Sequence, residues 1–332
     1  MKRVAELIRA EGLVKVFYRG GLVPGTPKAA IRAVDGVDLS LGEGEALGLV
    51  GESGSGKSTL GRLLVRLLEP TSGSIFFEGR DITHARGEEL RRLRRSLQIV
   101  FQDPTASLNP RMKIGAALME PLLDHGLADE REARSKVLRL LERVGLTPAA
   151  DFFDKYPHQL SGGQRQRVNI ARSVALEPKF LVADEPVSMV DVSLRLSILQ
   201  LLLGLKRELG MSMLFITHDM AVASFVAERI AVMYAGKIVE LGPAKELIRR
   251  PSHPYTMALL GAVPRPRGPL LRRLEAKEEV MDMSNPPSGC RFHPRCPFAV
   301  PVCRHREPEP FGLGEVQFSR CHFASQIRAL PR

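Results

Sequence analysis

The sequence predicts an α/β fold: a buried, largely parallel sheet that carries a phosphate-binding loop, with a helical insertion and a small cysteine-rich C-terminal extension. Three stretches predict it. Ala46-Leu47-Gly48-Leu49-Val50 runs into Gly51-Glu52-Ser53-Gly54-Ser55-Gly56-Lys57-Ser58-Thr59 and then into the apolar-periodic Leu60 to Leu68. That is strand, glycine loop and helix, in the order a phosphate site requires. Phe180-Leu181-Val182-Ala183 ends in Asp184-Glu185, and Met213-Leu214-Phe215-Ile216-Thr217 ends in His218-Asp219. Apolar runs of this kind are parallel strands buried on both faces, with the site beyond their carboxyl ends.

Taken in order, Leu13 to Tyr18 reads as the first strand, Arg19 to Pro27 as a Gly/Pro loop and Ile31 to Leu41 as a second, alternating strand. Gly42-Glu43-Gly44-Glu45 turns the chain into the loop strand. Phe17, with Tyr18 next to it, is a candidate to stack on adenine, against the equal alternative of two core aromatics. In the loop, glycines let successive N–H groups point at one anion, and the following helix adds its positive end. Lys57 then reaches the β- and γ-phosphates of a nucleoside triphosphate while the Ser58 hydroxyl ligates Mg²⁺.

Beyond the loop helix come the strand Ser74 to Phe77, a basic helix around Glu88 to Arg95, and an apolar strand from Leu97 that ends in Gln102-Asp103-Pro104. A glutamine there is placed to coordinate Mg²⁺ or position water. Helical spacing from about Met112 to Val144 (Val137, Leu138, Leu141, Val144) marks the inserted helical region. Ser161-Gly162-Gly163-Gln164 opens the helix Arg165 to Leu176 and forms a second anion-binding N-terminus. Two such sites far apart in one chain point to a dimer in which they meet. Asp184 fits an acid that holds Mg²⁺, and Glu185 a base that polarises water toward the γ-phosphate.

Composition narrows the class. The 332 residues suffice for one large α/β domain plus an appendage, and a 44% hydrophobic fraction is ordinary for a globular core. No apolar run approaches the ~18 residues of a membrane helix. Charge at Lys2, Arg3, Glu6 and Arg9 interrupts any signal-peptide core, so the expected compartment is the cytoplasm. The net charge of +11 suits nucleic acid or an anionic membrane surface, but it is diffuse, and 5% aromatics without tryptophan offers few stacking platforms for bases.

Together these motifs closely resemble those of the ATP-binding cassette ATPases, over about Leu13 to Gly242 and in the family's order. Gly51, Ser53, Gly54, Ser55, Gly56, Lys57, Ser58 and Thr59 lie in what looks like the Walker A loop. Gln102 resembles the Q-loop, Leu160-Ser161-Gly162-Gly163-Gln164 the signature, Asp184 and Glu185 the Walker B acid and catalytic glutamate, and His218 the switch histidine. Ser188-Met189-Val190-Asp191 resembles the D-loop, although the family commonly has Ala-Leu in the middle. The resemblance implies a RecA-like core, an antiparallel β subdomain and an inserted helical subdomain at about 103–175, in a nucleotide-binding domain of residues 1–255. It implies that Ser161 and Gly163 clamp the γ-phosphate held by a partner cassette, and that Gln102 links the Mg²⁺ site to the groove that receives membrane-domain helices. Closure on ATP then swings those domains.

Val100 to Arg111 and His253-Pro254-Tyr255-Thr256 are similar to the oligopeptide/dipeptide importer ATPases, and Gly56 to Arg62 to the second of their two ATPase subunits. The implied partners are a non-identical homologous ATPase, two transmembrane permease subunits at the cytoplasmic face of the membrane and, through them, an external solute-binding protein, with no nucleic acid. A soluble cassette ATPase acting on nucleic acid or ribosomes is the alternative. About a hundred residues between Lys57 and Ser161 leave no room for a long coiled-coil insertion, and only one cassette is present.

All four cysteines, Cys290, Cys296, Cys303 and Cys321, fall in the extension of residues 256–332, beyond a linker at about Val263 to Pro287. Thiols confined to one tail of a cytosolic protein read as a metal site more readily than as disulfides. The gaps of five, six and seventeen residues lack Cys-x-x-Cys knuckles, so chemistry alone leaves zinc and iron–sulfur open. Gly289 to Pro297 resembles the C-terminal motif of the same importer subfamily, which implies a 4Fe–4S cluster. In that reading Arg291, Arg295, Arg304 and Arg306 offset the cluster's charge.

Overall fold

A computed structural model of the chain describes residues 6–19, 29–262, 286–314 and 316–330. The N-terminal Met1 to Ala5, all of the expected Arg19 to Pro27 loop beyond Arg19 and most of the expected linker, 263–285, lie outside the described residues. The chain divides into two compact units, one of Glu6–Leu41, Ala46–His84 and Phe215–Arg332, the other containing Gly42–Glu45 and Ala85–Leu214.

The first unit opens with an antiparallel sheet in the order Ala29–Gly42, Glu6–Arg19, Ser72–Phe77, Arg80–Asp81. Ile8 pairs with Phe77 and Ala10 with Ile75, and the register shifts between Glu11 and Val14. The first strand begins at Glu6, seven residues before the apolar run that signals it, because Ile8 and Ala10 already point into the core.

The loop strand Ala46–Val50 is buried at all five positions. It lies parallel to Arg229–Tyr234, with Leu47 opposite Arg229 and Val50 opposite Val232. Ala235 and Gly236, both at positive φ, then turn the chain into Lys237–Pro243, which returns antiparallel. Positive φ at both central residues is the hairpin turn whose twist suits the flanking strands. The C-terminal extension adds Phe318–Ser319 to the outer side of Lys237–Pro243, and Phe311–Gly312 to that. Beneath this sheet Tyr234, Tyr255 and Phe292 pack with Val50, Met220, Ile230 and Leu247. Burying a side chain such as Phe292 contributes about 1.5–3 kcal/mol, so the extension is anchored by apolar packing as well as by its strands.

In the second unit, Leu97–Val100 runs parallel to the fully buried Phe180–Asp184, pairing Leu97 with Phe180 and Val100 with Ala183. The expected helical insertion is the pair Ile114–Asp124 and Glu130–Arg143, the latter capped by the Asp129 side chain, which accepts from Glu132 N. The signature helix spans Gly162–Val174, and Val192–Leu209 follows the Asp184-Glu185 strand. No helix among the described residues is long and apolar enough to cross a membrane.

Candidate active site

In the first unit the loop between Val50 and Lys57 is shaped by two glycines for which no other residue serves. A Cβ on Gly51 would lie 2.2 Å from Met233 O, and one on Gly56, at φ +105, would lie 2.1 Å from Ala33 O. The loop therefore rests on the backbones of the strands Arg229–Tyr234 and Ala29–Gly42, and Gly56 hands over to the helix Lys57–Leu64. Lys57 is 5% exposed, and its Nζ donates to Gly51 O at 2.7 Å and Glu52 O at 2.8 Å. A buried ammonium held inside a ring of backbone groups is a fixed positive charge at a helix start. Ser55 Oγ, also buried, has no hydrogen-bond partner among the described residues. A buried hydroxyl in that condition costs about 1–3 kcal/mol unless a ligand meets it.

Phe17 and Tyr18, in the same unit, are 39% and 66% exposed, with Lys15 Nζ 5.4 Å from the Phe17 ring centre. His218 is exposed at the end of the strand Ser212–Thr217. Its neighbour Asp219 caps the helix Met220–Val226 by accepting from Ala221 N and Val222 N, which fixes the turn that presents the imidazole.

The second unit carries the other candidates. Gln102 Nε2 donates to Glu185 Oε2 at 3.2 Å, a pair 83 residues apart in sequence. Asp184 is 1% exposed at the strand end. Glu185 leaves the strand at φ +45, a left-handed conformation that costs a non-glycine residue about 1–2 kcal/mol. Such strain concentrates where the placement of a side chain matters for function. Ser188 Oγ donates to Glu185 O at 3.0 Å and holds that turn. Ser161 and Gln164 form a reciprocal cap: Gln164 N donates to Ser161 Oγ at 3.3 Å, and Ser161 N to Gln164 Oε1 at 3.0 Å. Gly162 has open space around it, whereas a Cβ on Gly163 would lie 2.8 Å from Leu194 Cδ1. Gln166 Nε2 donates to Pro186 O at 2.8 Å, tying the signature helix to the residue after Glu185. Asp191 is exposed at the start of Val192–Leu209, beside an exposed Met189 and a buried Val190.

Residues 34–188 match the family model for ABC transporters, and residues 239–303 the oligopeptide/dipeptide transporter C-terminal region. The chain is 48% identical over 299 residues to the oligopeptide transport ATP-binding protein AppF of Bacillus subtilis, covering 89% of this chain and 90% of that relative. The chain belongs to the ABC transporter ATPases. Another ABC relative, the dipeptide transport ATP-binding protein DppF of Haemophilus influenzae, is 46% identical and covers 93% of this chain and 94% of its own length. Among solved structures, the dimeric ABC transporter cassette MJ0796 aligns with a TM-score of 0.63 at 32% identity, over 72% of this chain and 99% of that one. A post-hydrolysis dimer of the same cassette, bound to ADP and Pi, gives 0.63 at 31%. The ABC cassette fold and ATPase class inferred from the motifs therefore hold.

The cysteine tail requires a correction. Cys290, Cys296, Cys303 and Cys321 do line one small cavity, together with Phe292 and Phe323. Among the described residues, however, no group of three or more His, Cys, Asp or Glu side chains is arranged to hold a metal ion. All four are free thiols. Burial pushes the Cys290 thiol up to about 12, and those of Cys296 and Cys321 each up to about 11. The expected 4Fe–4S cluster and its zinc alternative are both withdrawn. The cysteines pack as small hydrophobic side chains.

The arginines assigned to cluster charge have other partners as well. Arg291 bonds the Asp35 carboxylate and Ala235 O. Arg295 grips Glu52 inside the phosphate loop, through Nη1 to Oε2 at 2.7 Å and Nη2 to Oε1 at 2.9 Å. Tyr255, in the helix Pro254–Gly261, accepts from Glu52 N at 2.8 Å. Neither contact was foreseen, and no local pattern signals a pair 243 residues apart.

Proposed function

We propose that this ABC ATPase is the energising subunit of an importer of oligopeptides, dipeptides or a related solute, working at the cytoplasmic face of the membrane. Residues 1–255 form the nucleotide-binding domain, with a helical subdomain at about 103–175, and residues 256–332 the extension. The observation that carries the reading is the Gln102–Glu185 hydrogen bond. It joins the residue proposed to bind Mg²⁺ to the residue proposed to act as base, in a chain whose residues 239–303 match a peptide-transporter region.

The loop fits a nucleoside triphosphate, given the two glycine approaches, the buried Lys57 and a Ser55 hydroxyl with no partner among the described residues. Ser53, Gly54 and Thr59 complete the cradle around it. Ser58, Gln102 and Asp184 are hard oxygen donors of the kind Mg²⁺ takes. When bound, Mg²⁺ would supply charge neutralisation to the phosphates. Glu185 accepts the proton of the attacking water, and Gln102 orients the carboxylate for that step. His218 contacts the γ-phosphate from the neighbouring strand end. Phe17 is the candidate adenine platform, with the more exposed Tyr18 beside it as the alternative. Ser161, Gly162, Gly163 and Gln164 present the capped helix start to the nucleotide of a second, homologous cassette, and Asp191 closes that contact. Two permease subunits receive the resulting motion and pass on solute delivered by an external binding protein. Gentle extraction from membranes through a tag on this chain is the test. Recovery of two permease subunits and a second ATPase supports the reading, and recovery of nucleic-acid or ribosomal partners without permeases overturns it.

A further inference from the structure

An acidic side chain in the second position of a phosphate loop is a liability. Glu52 directly follows Gly51, its backbone N–H is part of the loop, and its carboxylate is 44% exposed on the side chain. A free carboxylate there repels the phosphates that the loop exists to hold, by about 1 kcal/mol at 4 Å in water and several times more at a partly buried site. The C-terminal extension supplies the remedy. Arg295, with a side chain 15% exposed, meets both Glu52 oxygens with two nitrogens, the fork-to-fork geometry that only arginine provides.

The guanidinium is held from several sides. It lies 5.8 Å from the ring centres of both Tyr234 and Phe292. Those rings, with Tyr255, form a mutually packed cluster at centroid distances of 4.6 to 5.4 Å. Consecutive turns fix the backbone: His293 N donates to Cys290 O, Arg295 N to Phe292 O and Cys296 N to His293 O. At Gly289 a Cβ would lie 2.4 Å from Cys303 O, so this segment lies close against the helix Pro301–His305. The Glu52 backbone has its own support in the Tyr255 hydroxyl. Support of the backbone and neutralisation of the carboxylate are thus assigned to different residues.

We infer that Arg295 is a positioning residue for nucleotide binding: it cancels the Glu52 charge and draws that carboxylate away from the phosphates, so the extension completes the phosphate loop. The inference rests on the ATPase reading. It predicts a particular pattern of rescue. Removing Arg295 exposes Glu52 and weakens nucleotide binding, and neutralising Glu52 in the same chain restores it. A guanidinium that merely holds the fold together shows no such rescue.

The experiment is equilibrium binding of a fluorescent ATP analogue (mant-ATP with Mg²⁺) to the full chain at 50 and 300 mM salt. For Arg295→Ala the Kd rises about tenfold at low salt, about 1.4 kcal/mol, and by less at high salt. The double variant Glu52→Gln/Arg295→Ala returns to within about twofold of the parent. Glu52→Gln alone leaves the arginine charge uncancelled at the loop and tightens binding at low salt; it also serves if Arg295→Ala fails to fold. A double variant as weak as Arg295→Ala, an Arg295→Ala Kd equal to the parent's, or weaker binding by Glu52→Gln overturns the inference. A parent chain that binds no nucleotide refutes the ATPase reading itself, a result distinct from the other three.

Discussion

Replacing Gly56 by alanine tests whether the loop is shaped by backbone contact or by backbone conformation alone. At φ +105 an alanine pays about 1–2 kcal/mol for the left-handed half of conformational space. Its Cβ would also meet Ala33 O at 2.1 Å and Met233 Cε at 2.8 Å. The methionine tip is flexible and yields, but the carbonyl belongs to the strand Ala29–Gly42 and must retreat by about 1 Å. Overpacking of that kind costs about 1–3 kcal/mol, so Gly56→Ala should lose about 2–5 kcal/mol in all. Gly54 is the internal control. It also has positive φ, +77, but no atom of the described residues lies within 4 Å of its Cβ position, so Gly54→Ala should lose only the conformational part, about 1–2 kcal/mol. Urea unfolding followed by far-UV circular dichroism measures both, the chain having no tryptophan for fluorescence. A Gly54→Ala loss equal to or larger than that of Gly56→Ala refutes the argument from contact.

Two further perturbations have signed outcomes. Burial raises the Glu240 carboxyl to about 7, although it accepts from Ser252 N and His253 N, and burial lowers the His253 imidazole to about 3. The stability contributed by neutral Glu240 is complete below about pH 4.5 and is lost as pH rises through about 7. That contributed by neutral His253 is complete above about pH 6.5 and is lost as pH falls toward about 3. The two slopes oppose one another between about pH 4.5 and 6.5, so Glu240→Gln should expose the histidine slope, with stability falling on acidification from pH 6.5. A variant whose unfolding free energy rises on acidification over that range contradicts this. Ser161→Ala removes the reciprocal cap with Gln164 and should cost about 1 kcal/mol in the same urea assay; no change would mean that the cap carries no stability.

The parts of the molecule legible in the sequence are those written in contiguous residues. Ala46 to Leu64 carries strand, loop and helix in one run, and Ser161 to Gln164 carries both halves of a capping box. The strand Phe180–Asp184 declares its burial by its composition. What stayed hidden depends on partners remote in sequence. The first strand was read short because its bulge between Glu11 and Val14 breaks the alternation that would extend it to Glu6. Arg295 looked like one basic residue among four in a cysteine tail, because its partner lies in the loop near the other end of the chain. The cysteines show the converse failure. Their confinement to one segment suggested a shared metal, yet among the described residues no group of three or more His, Cys, Asp or Glu side chains is arranged to hold one, and all four are free cysteines. Spacing reports proximity along the chain, whereas ligation needs donors set in a coordination geometry.

The central claim is that Glu185, oriented by Gln102, activates water for ATP hydrolysis in a cassette dimer. Phosphate release from Mg²⁺-ATP by the assembled transporter, measured for the parent and for Glu185→Gln, tests it most directly. The account predicts that Glu185→Gln loses about 100-fold or more of the hydrolysis rate while retaining ATP in a stable dimer. Hydrolysis by Glu185→Gln at the parent rate would contradict it.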